Sequence, residues 1–179
     1  DGRPCRAVNS GTSAQHLGLL ASGVGPGDEV IVPSFTFAAT ANAVALTGAT
    51  PVFADISPNS FCLDPSSVEA CVSPRTVGIM PVHLYGHPAP MFDLLEIADK
   101  NKLAVFEDAA QAHLAKLRGK KVGTFGTFGI FSFYPTKNMT SGEGGMVVSK
   151  SPDISRKVNL LRNQGMEIRY ENEVVGLNN

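Results

Sequence analysis

The sequence predicts an α/β fold built around a mostly parallel sheet. Short apolar runs alternate with helical patterns along most of the 179 residues, which is typical of repeated strand–helix units. The length suits one domain with a substantial core and would be cramped for two. Hydrophobic residues make up 43% and charged residues 17%, as in ordinary globular proteins.

In the first half of the chain, strands and helices alternate from the start. Apolar runs predict strands at 6–8, 29–32 and 51–54. Apolar residues at helical spacing predict one helix from about Thr12, and an alanine-rich segment predicts a second over 37–46 that closes at Gly48. Asp64 followed by Pro65 predicts the start of a third helix, with an aspartate cap and proline at the first position.

The second half continues the alternation. Residues 76–83 are apolar and predicted to be extended, and a strand is predicted at 103–106. Glycine-punctuated aromatic runs at 126–133 and 145–148 complete the predicted sheet. Two more helices are indicated by apolar spacing, through Met91, Leu94, Leu95 and Ala98, and through Ile154, Val158 and Leu161.

Composition excludes several classes of partner. The net charge of −1 gives no reason to expect nucleic acid or an anionic membrane as a partner. The local basic cluster at 116–121 is interpreted as a solvated surface loop. Three scattered cysteines suit a reducing compartment, no metal site is indicated, and no apolar run could span a bilayer. We therefore expect a cytoplasmic protein. The polar pattern of residues 171–179, with no capping element after it, and a first strand that begins almost at residue one further predict an internal piece of a longer chain.

Two adjacent acids, Glu107 and Asp108, follow the strand predicted at 103–106. Ligands of open α/β sheets collect at the carboxyl ends of the strands. Neighbours on an extended segment point to opposite faces, so only one of these acids can face a given site. That geometry argues against a paired-carboxylate glycosidase. One buried carboxylate remains, with Gln111 three residues after Asp108, and a lone acid here is a cap or turn former about as often as a functional group.

Small and hydroxyl side chains follow the first strand. Gly11, Thr12 and Ser13 lie at a helix N-terminus, which favours a phosphate through its unpaired amides and its dipole. A simple helix cap is an equally good interpretation.

Two further segments stand beside predicted strand ends. The aromatic residues of Pro33–Phe37 suit stacking on a flat ligand, although core packing is the commoner use. Lys137 follows an aromatic strand and precedes a glycine-rich turn, where backbone can approach a ligand closely. Most loop lysines are solvated, so only this setting distinguishes Lys137.

Four segments together resemble the DegT-type (DegT/DnrJ/StrS) sugar aminotransferase family, a branch of the fold-type I enzymes that use pyridoxal 5'-phosphate (PLP). The resemblance covers nearly the whole chain. The matching segments are Asn-Ser-Gly-Thr-Ser-Ala at 9–14, Pro-Ser-Phe-Thr-Phe-Ala-Ala-Thr-Ala-Asn at 33–42, Glu-Asp-Ala-Ala-Gln-Ala-His at 107–113, and Phe-Ser-Phe-Tyr-Pro-Thr-Lys-Asn with Gly-Glu-Gly-Gly within 131–145.

The resemblance implies a fold and a domain assignment. Residues 1–179 would form the PLP-binding large domain of the aspartate aminotransferase-like type, a three-layer α/β/α sandwich. The opening segment and the C-terminal small domain of the family would lie outside this chain. Family members are dimers with shared active sites. Asn178 resembles part of the loop that one subunit contributes to the phosphate site of its neighbour.

The resemblance also implies site roles. Lys137 would be the Schiff-base lysine, and Asp108 the catalytic partner of the pyridinium nitrogen. Gln111 would lie beside the cofactor ring, and Phe37 would stack on it. The implied phosphate contacts are Thr12, Ser13 and Ser132. Gln15 and Leu114 depart from the usual family residues, and neither is expected to carry chemistry.

The implied reaction moves an amino group from an amino acid donor, glutamate by analogy, to a nucleotide-linked keto-sugar. Such reactions belong to deoxyamino-sugar biosynthesis for polysaccharides or antibiotics. Two alternatives stay open. A PLP-dependent sugar dehydratase of the family would carry histidine in place of Lys137, and a catalytically silent regulatory or binding member would need neither Lys137 nor Asp108.

Overall fold

A computed structural model describes residues 2–179, in which strands alternate with helices as far as residue 108, and the strands between 116 and 149 then follow one another without a helix. In chain order they are β1 Cys5–Val8, α1 Gly11–Ala21, β2 Glu29–Pro33, α2 Ala39–Leu46, β3 Thr50–Ala54, α3 Pro65–Cys71, β4 Thr76–Ile79, α4 Met91–Asn101, β5 Ala104–Asp108, β6 Lys116–Leu117, β7 Lys120–Lys121, β8 Phe128–Ser132, β9 Gly145–Ser149, α5 Pro152–Arg162, β10 Met166–Ile168 and β11 Glu171–Asn172.

Seven of these strands form the central sheet in the order β1-β9-β8-β5-β4-β2-β3. Pairing is parallel throughout β8-β5-β4-β2-β3, whereas β9 runs antiparallel to both of its neighbours, β1 and β8. The prediction of a mostly parallel sheet is therefore confirmed, with β9 as the reversed strand.

Each face of the sheet carries its own hydrophobic core. On β2, Val30 and Val32 pack toward the core formed with α1, α2 and α5, while Ile31 packs toward the core formed with α3 and α4. This alternation follows from the two-residue period of a strand. Helices on both faces make the three-layer α/β/α sandwich that the family resemblance implies.

Helix starts agree with the capping residues. Asp64 accepts a hydrogen bond from the Ser66 amide at 2.9 Å, and Pro65 is the first residue of α3, as predicted. Ser10 caps α1 by accepting from the Ser13 amide at 3.1 Å.

The structure differs from the sequence predictions in two segments. The extended run predicted at 76–83 is a strand only to Ile79, because the chain then turns through a short 3₁₀ segment at Leu84–Gly86. The basic cluster is exposed at the surface, as predicted, but it forms a hairpin of β6 and β7 instead of an irregular loop. Arg118 and Gly119 at its turn both have positive φ, the geometry of a type I′ hairpin turn.

No helix among the residues that the structure describes combines the length and the apolar character needed to cross a membrane.

Candidate functional site

A cavity of about 350 Å³ opens at the carboxyl ends of β5 and β8, beside the N-terminus of α1. Six of the predicted site residues line it: Thr12, Phe37, Asp108, Gln111, Ser132 and Lys137. The sequence places these residues up to 125 positions apart, from Thr12 to Lys137, and the sheet topology brings them together. Strand ends of a parallel sheet meet at one edge, which explains the convergence.

Asp108 ends β5 and is held by three hydrogen-bond donors. Its Oδ1 accepts from the Ala110 amide at 3.0 Å. Its Oδ2 accepts from Thr40 Oγ1 at 3.0 Å and from Gln15 Nε2. Only 5% of Asp108 is exposed, and burial raises the pKa of its carboxyl above the ordinary value, while the Ala110 and Thr40 hydrogen bonds and the Lys137 charge act in the opposite direction.

Glu107 points to the opposite face of β5, as the strand period predicts. Its carboxylate accepts hydrogen bonds from the amides of Gly123, Phe125 and Gly126 at 2.7, 2.6 and 2.7 Å. It also contacts His83 Nε2 at 3.1 Å. Because these four groups occupy both carboxylate oxygens, Glu107 fixes the 123–126 loop and takes no part in the cavity.

The N-terminus of α1 packs tightly against the end of β8. A Cβ atom at Gly11 would lie 2.7 Å from Ser132 Cβ, so only glycine allows this approach. Thr12 and Ser132 consequently share one wall of the cavity. A helix N-terminus with hydroxyls beside it favours a phosphate or another anion.

Ser13 lies outside the cavity lining, in contrast to its neighbour Thr12. Its Oγ is 2.5 Å from Asn9 Oδ1 and 3.1 Å from Asn179 Oδ1. The side chain thus links the start of α1 to the end of the chain.

Lys137 lies half-buried in the 133–144 segment that joins β8 to β9. Both ends of this segment are tied together, since the Phe133 amide donates to the Gly144 carbonyl at 2.9 Å. Asn138, the next residue, is 2.8 Å from His113 Nδ1, and the His113 ring packs between Phe131 and Phe133. These contacts hold the lysine-bearing segment over the cavity.

Two other lining residues sit at the mouth of the cavity. Gln111 Oε1 accepts from the Tyr85 amide at 2.8 Å, which fixes the orientation of this side chain. The Phe37 ring is 73% exposed. An exposed aromatic ring at a cavity rim is available for stacking on a planar ligand.

The structure places Asn178 away from this cavity. It forms a backbone bridge with Asn163 and lines a separate surface depression with Asn159, Arg162, Asn163 and Asn179. Asn178 therefore does not line the cavity of its own subunit.

Gln15 and Thr40 are the contacts of Asp108 that the sequence predictions missed. Gln15 was expected to lie beside the site without carrying chemistry, and the structure adds a direct hydrogen bond to Asp108. One signal could have indicated it: Gln15 follows Thr12 by three residues and so shares its helix face.

Within residues 2–179, no group of three histidine, cysteine, aspartate or glutamate side chains is close enough to hold a metal ion.

Comparison with known proteins gives a consistent family. A sequence model of the DegT/DnrJ/EryC1/StrS aminotransferase family matches residues 3–179. GDP-perosamine synthase of Caulobacter vibrioides is 51% identical over 96% of this chain and 47% of its own length. A UDP-N-acetyl-3-dehydro-alpha-D-glucosamine 3-aminotransferase of Acidithiobacillus ferrooxidans is 49% identical over 94% of this chain and 46% of its own length.

A solved structure agrees with these matches. DesV of S. venezuelae, crystallised in complex with a ketimine intermediate, superposes with a TM-score of 0.94 at 48% identity, over 97% of this chain and 47% of DesV. The chain thus spans about half the length of the curated relatives it matches.

Proposed function

Since this chain belongs to the DegT/DnrJ/EryC1/StrS aminotransferase family, we propose that it is the large domain of an enzyme that transfers an amino group to a nucleotide-linked keto-sugar, with PLP as cofactor. The donor in this proposal is an amino acid, glutamate in the first instance. The observation that carries the proposal is that Lys137 and Asp108 line one cavity. A primary amine and a buried acid in one cavity are the two groups that amino transfer with PLP requires.

The residues of the cavity fit PLP. The start of α1, with Thr12 and Ser132, would hold the phosphate. Asp108 would pair with the ring nitrogen, and Phe37 would cover a ring face. When bound, PLP supplies an aldehyde carbon for the lysine and a ring that withdraws electrons from the reacting bond.

The proton transfers fall to Lys137 in this proposal. Its Nζ, as the free amine, takes a proton from the α-carbon of the amino acid donor. In the second half of the reaction it delivers a proton to the sugar carbon that receives the amino group. The β8–β9 segment keeps Nζ over the cavity, so one group serves both directions.

Relatives support the choice of substrate class. The two relatives described above are named for GDP- and UDP-linked sugars. A nucleotide-linked keto-sugar would be larger than the cavity, so we propose that its nucleotide lies outside the residues that line it. Gln111, which lines the cavity, would lie beside the cofactor ring.

Substitution of Lys137 tests the proposal. In the full-length protein, Lys137→Ala should abolish the visible absorption band of bound PLP, the adduct trapped by borohydride, and amino transfer from glutamate. Lys150→Ala, which removes an exposed lysine beyond β9, should leave all three unchanged.

Two outcomes would contradict the proposal. A borohydride-trapped adduct that persists in Lys137→Ala would assign the cofactor to another amine. A wild-type protein that binds no PLP would favour the regulatory or binding alternative.

A further inference from the structure

Gln15 is a buried amide on a helix face that is otherwise apolar. Only 2% of it is exposed, and the other buried residues of α1 are glycine, alanine and leucine. Burial of an amide is unfavourable unless a hydrogen bond compensates for the lost water. The compensating bond here is the donation from Gln15 Nε2 to Asp108 Oδ2.

The orientation of the Gln15 amide follows from its surroundings. Its Oε1 is buried and has no hydrogen-bond partner among residues 2–179. A reversed amide would place this oxygen against the Asp108 carboxylate, where two acceptors repel each other. The donating orientation is therefore the favourable one, and Gln15 acts on Asp108 as a neutral donor.

The donors leave one acceptor position on Asp108 free. A carboxylate offers about four lone-pair positions, two on each oxygen. Gln15 and Thr40 occupy both positions on Oδ2, and the Ala110 amide occupies one on Oδ1. The remaining position belongs to Oδ1.

Donors on Oδ2 also decide where a shared proton rests. Hydrogen bonds from neutral groups stabilise a carboxylate and make it less basic, whereas burial favours its protonated form. A ring nitrogen bound to Asp108 would share its proton with this carboxylate. Each donor on Oδ2 moves that proton toward the ring.

We propose that Gln15, together with Thr40, is a positioning residue that keeps Asp108 ionised and directs its Oδ1 to the N–H of the pyridinium ring. The proposal rests on the proposed function and deepens it. Gln15 acts through Asp108 and touches no reacting atom. Without it, the proton would shift from the ring toward the carboxyl group, and the ring would withdraw electrons less effectively.

Gln15→Met tests the proposal, because methionine keeps the length and volume of glutamine but cannot donate. We expect the dissociation constant for PLP to rise about tenfold, as for the loss of a hydrogen bond to a charged group. With ¹⁵N-labelled PLP, the chemical shift of the ring nitrogen should move toward that of neutral pyridine. Thr40→Val, which removes the other donor to Oδ2, should change both quantities in the same direction.

Repeating the Gln15→Met substitution in an Asp108→Asn variant separates a positioning role from a packing role. In Asp108→Asn, the ionised partner is gone, so adding Gln15→Met should change PLP binding by less than about twofold. A packing role would instead produce the same loss in both backgrounds. Thermal unfolding of each cofactor-free variant shows whether the fold is intact.

Failure of the role proposed for Gln15 can be told apart from failure of the proposed function. A wild-type protein with the PLP absorption band, together with a Gln15→Met variant of unchanged ¹⁵N shift and PLP affinity, would overturn the role of Gln15 alone. An effect of Gln15→Met that persists fully in the Asp108→Asn background would also overturn it.

Discussion

Glu107 and Asp108 are adjacent acids at the end of β5 with different surroundings. Their side chains point to opposite faces of the sheet because a strand has a two-residue period. Glu107 is surrounded by donors that belong to the fold, and Asp108 faces the cavity. His83 reinforces the first environment, because its Nδ1 accepts from the Ala89 amide at 3.0 Å and leaves Nε2 to donate to Glu107. The two acids therefore call for different tests.

Glu107→Gln should destabilise the protein without altering the cavity. The amide group of glutamine would face backbone donors that now bind an oxygen, so buried donors would lose their partners. We expect the free energy of unfolding to fall by about 3 kcal/mol. Urea denaturation measures it. Glu69→Gln is the matched control, since Glu69 pairs with Lys100 at the surface and should change stability by less than about 1 kcal/mol; equal effects of the two variants would contradict the assignment.

Asp108 should reduce the stability of the cofactor-free protein at neutral pH. Its raised pKa means that the folded chain binds this proton more tightly than the unfolded chain does. The protonated carboxyl therefore favours the folded state, and this stabilisation is complete below the ordinary pKa of 3.8. The stabilisation is lost as the pH rises through the raised pKa of the folded state.

Asp108→Asn removes that titration. At pH 7 the cofactor-free variant should be more stable than the wild type, because it no longer buries a charge. The difference should shrink toward zero near pH 4, as measured by urea denaturation at both pH values. A variant that is less stable than the wild type by the same amount at both pH values would show that burial of the charge is not the dominant effect.

At the scale of elements, α1 is fixed against the sheet by close glycine contacts. A Cβ at Gly18 would lie 2.5 Å from the Phe128 ring, which in turn stacks on Phe106 with 5.0 Å between ring centroids. Displacement of α1 would move Gly11, Thr12 and Gln15 together. A change in how α1 packs on the sheet would therefore displace the part of the cavity wall that α1 forms.

Gly18→Ala should lower the free energy of unfolding by about 2 kcal/mol, because overpacking outweighs the better helix propensity of alanine. Weaker PLP binding should accompany it. Gly25→Ala is a suitable control: a Cβ there meets only the Thr47 carbonyl at 4.0 Å, and stability should change by less than about 0.5 kcal/mol. A stabilised Gly18→Ala variant would contradict the contact.

Most elements were predictable from the sequence, because apolar periods and capping residues are local signals. The reversal of β9 was not, since the 145–148 run is apolar in either direction and only its partners decide. Hydrogen bonding between Gln15 and Asp108 was missed for a related reason. It joins residues 93 positions apart. The spacing of three residues from Thr12 places Gln15 on the same helix face, but it does not identify Asp108 as the partner. Lys137 and Asp108, in contrast, stood next to strand ends.

For the whole molecule, we propose a homodimer with shared active sites. Asn178 lies away from the cavity of its own chain, on a surface depression with Arg162. In the proposed dimer it serves the phosphate site of the neighbouring subunit.

Subunit mixing tests this arrangement. Lys137→Ala and Asn178→Ala should each lack activity alone. After unfolding and refolding together, they should recover about one quarter of wild-type activity, because half of the dimers carry one intact site of two. Light scattering should give twice the mass of one chain. Absence of recovery from a mixed dimer would assign Asn178 to its own subunit.

Strands β8 and β9 form one antiparallel hairpin that begins at Phe128 and ends at its pairing partner Ser149. Its two ends emerge side by side from one ladder, so a cut before Phe128 and another after Ser149 exchange a single piece. Chimeras with relatives at these junctions would exchange Lys137 together with the 133–144 segment. Helices α1 and α2, whose side chains bond Asp108, would remain unchanged. Lys137 and Asp108 therefore lie on segments of the chain that can be exchanged independently of each other.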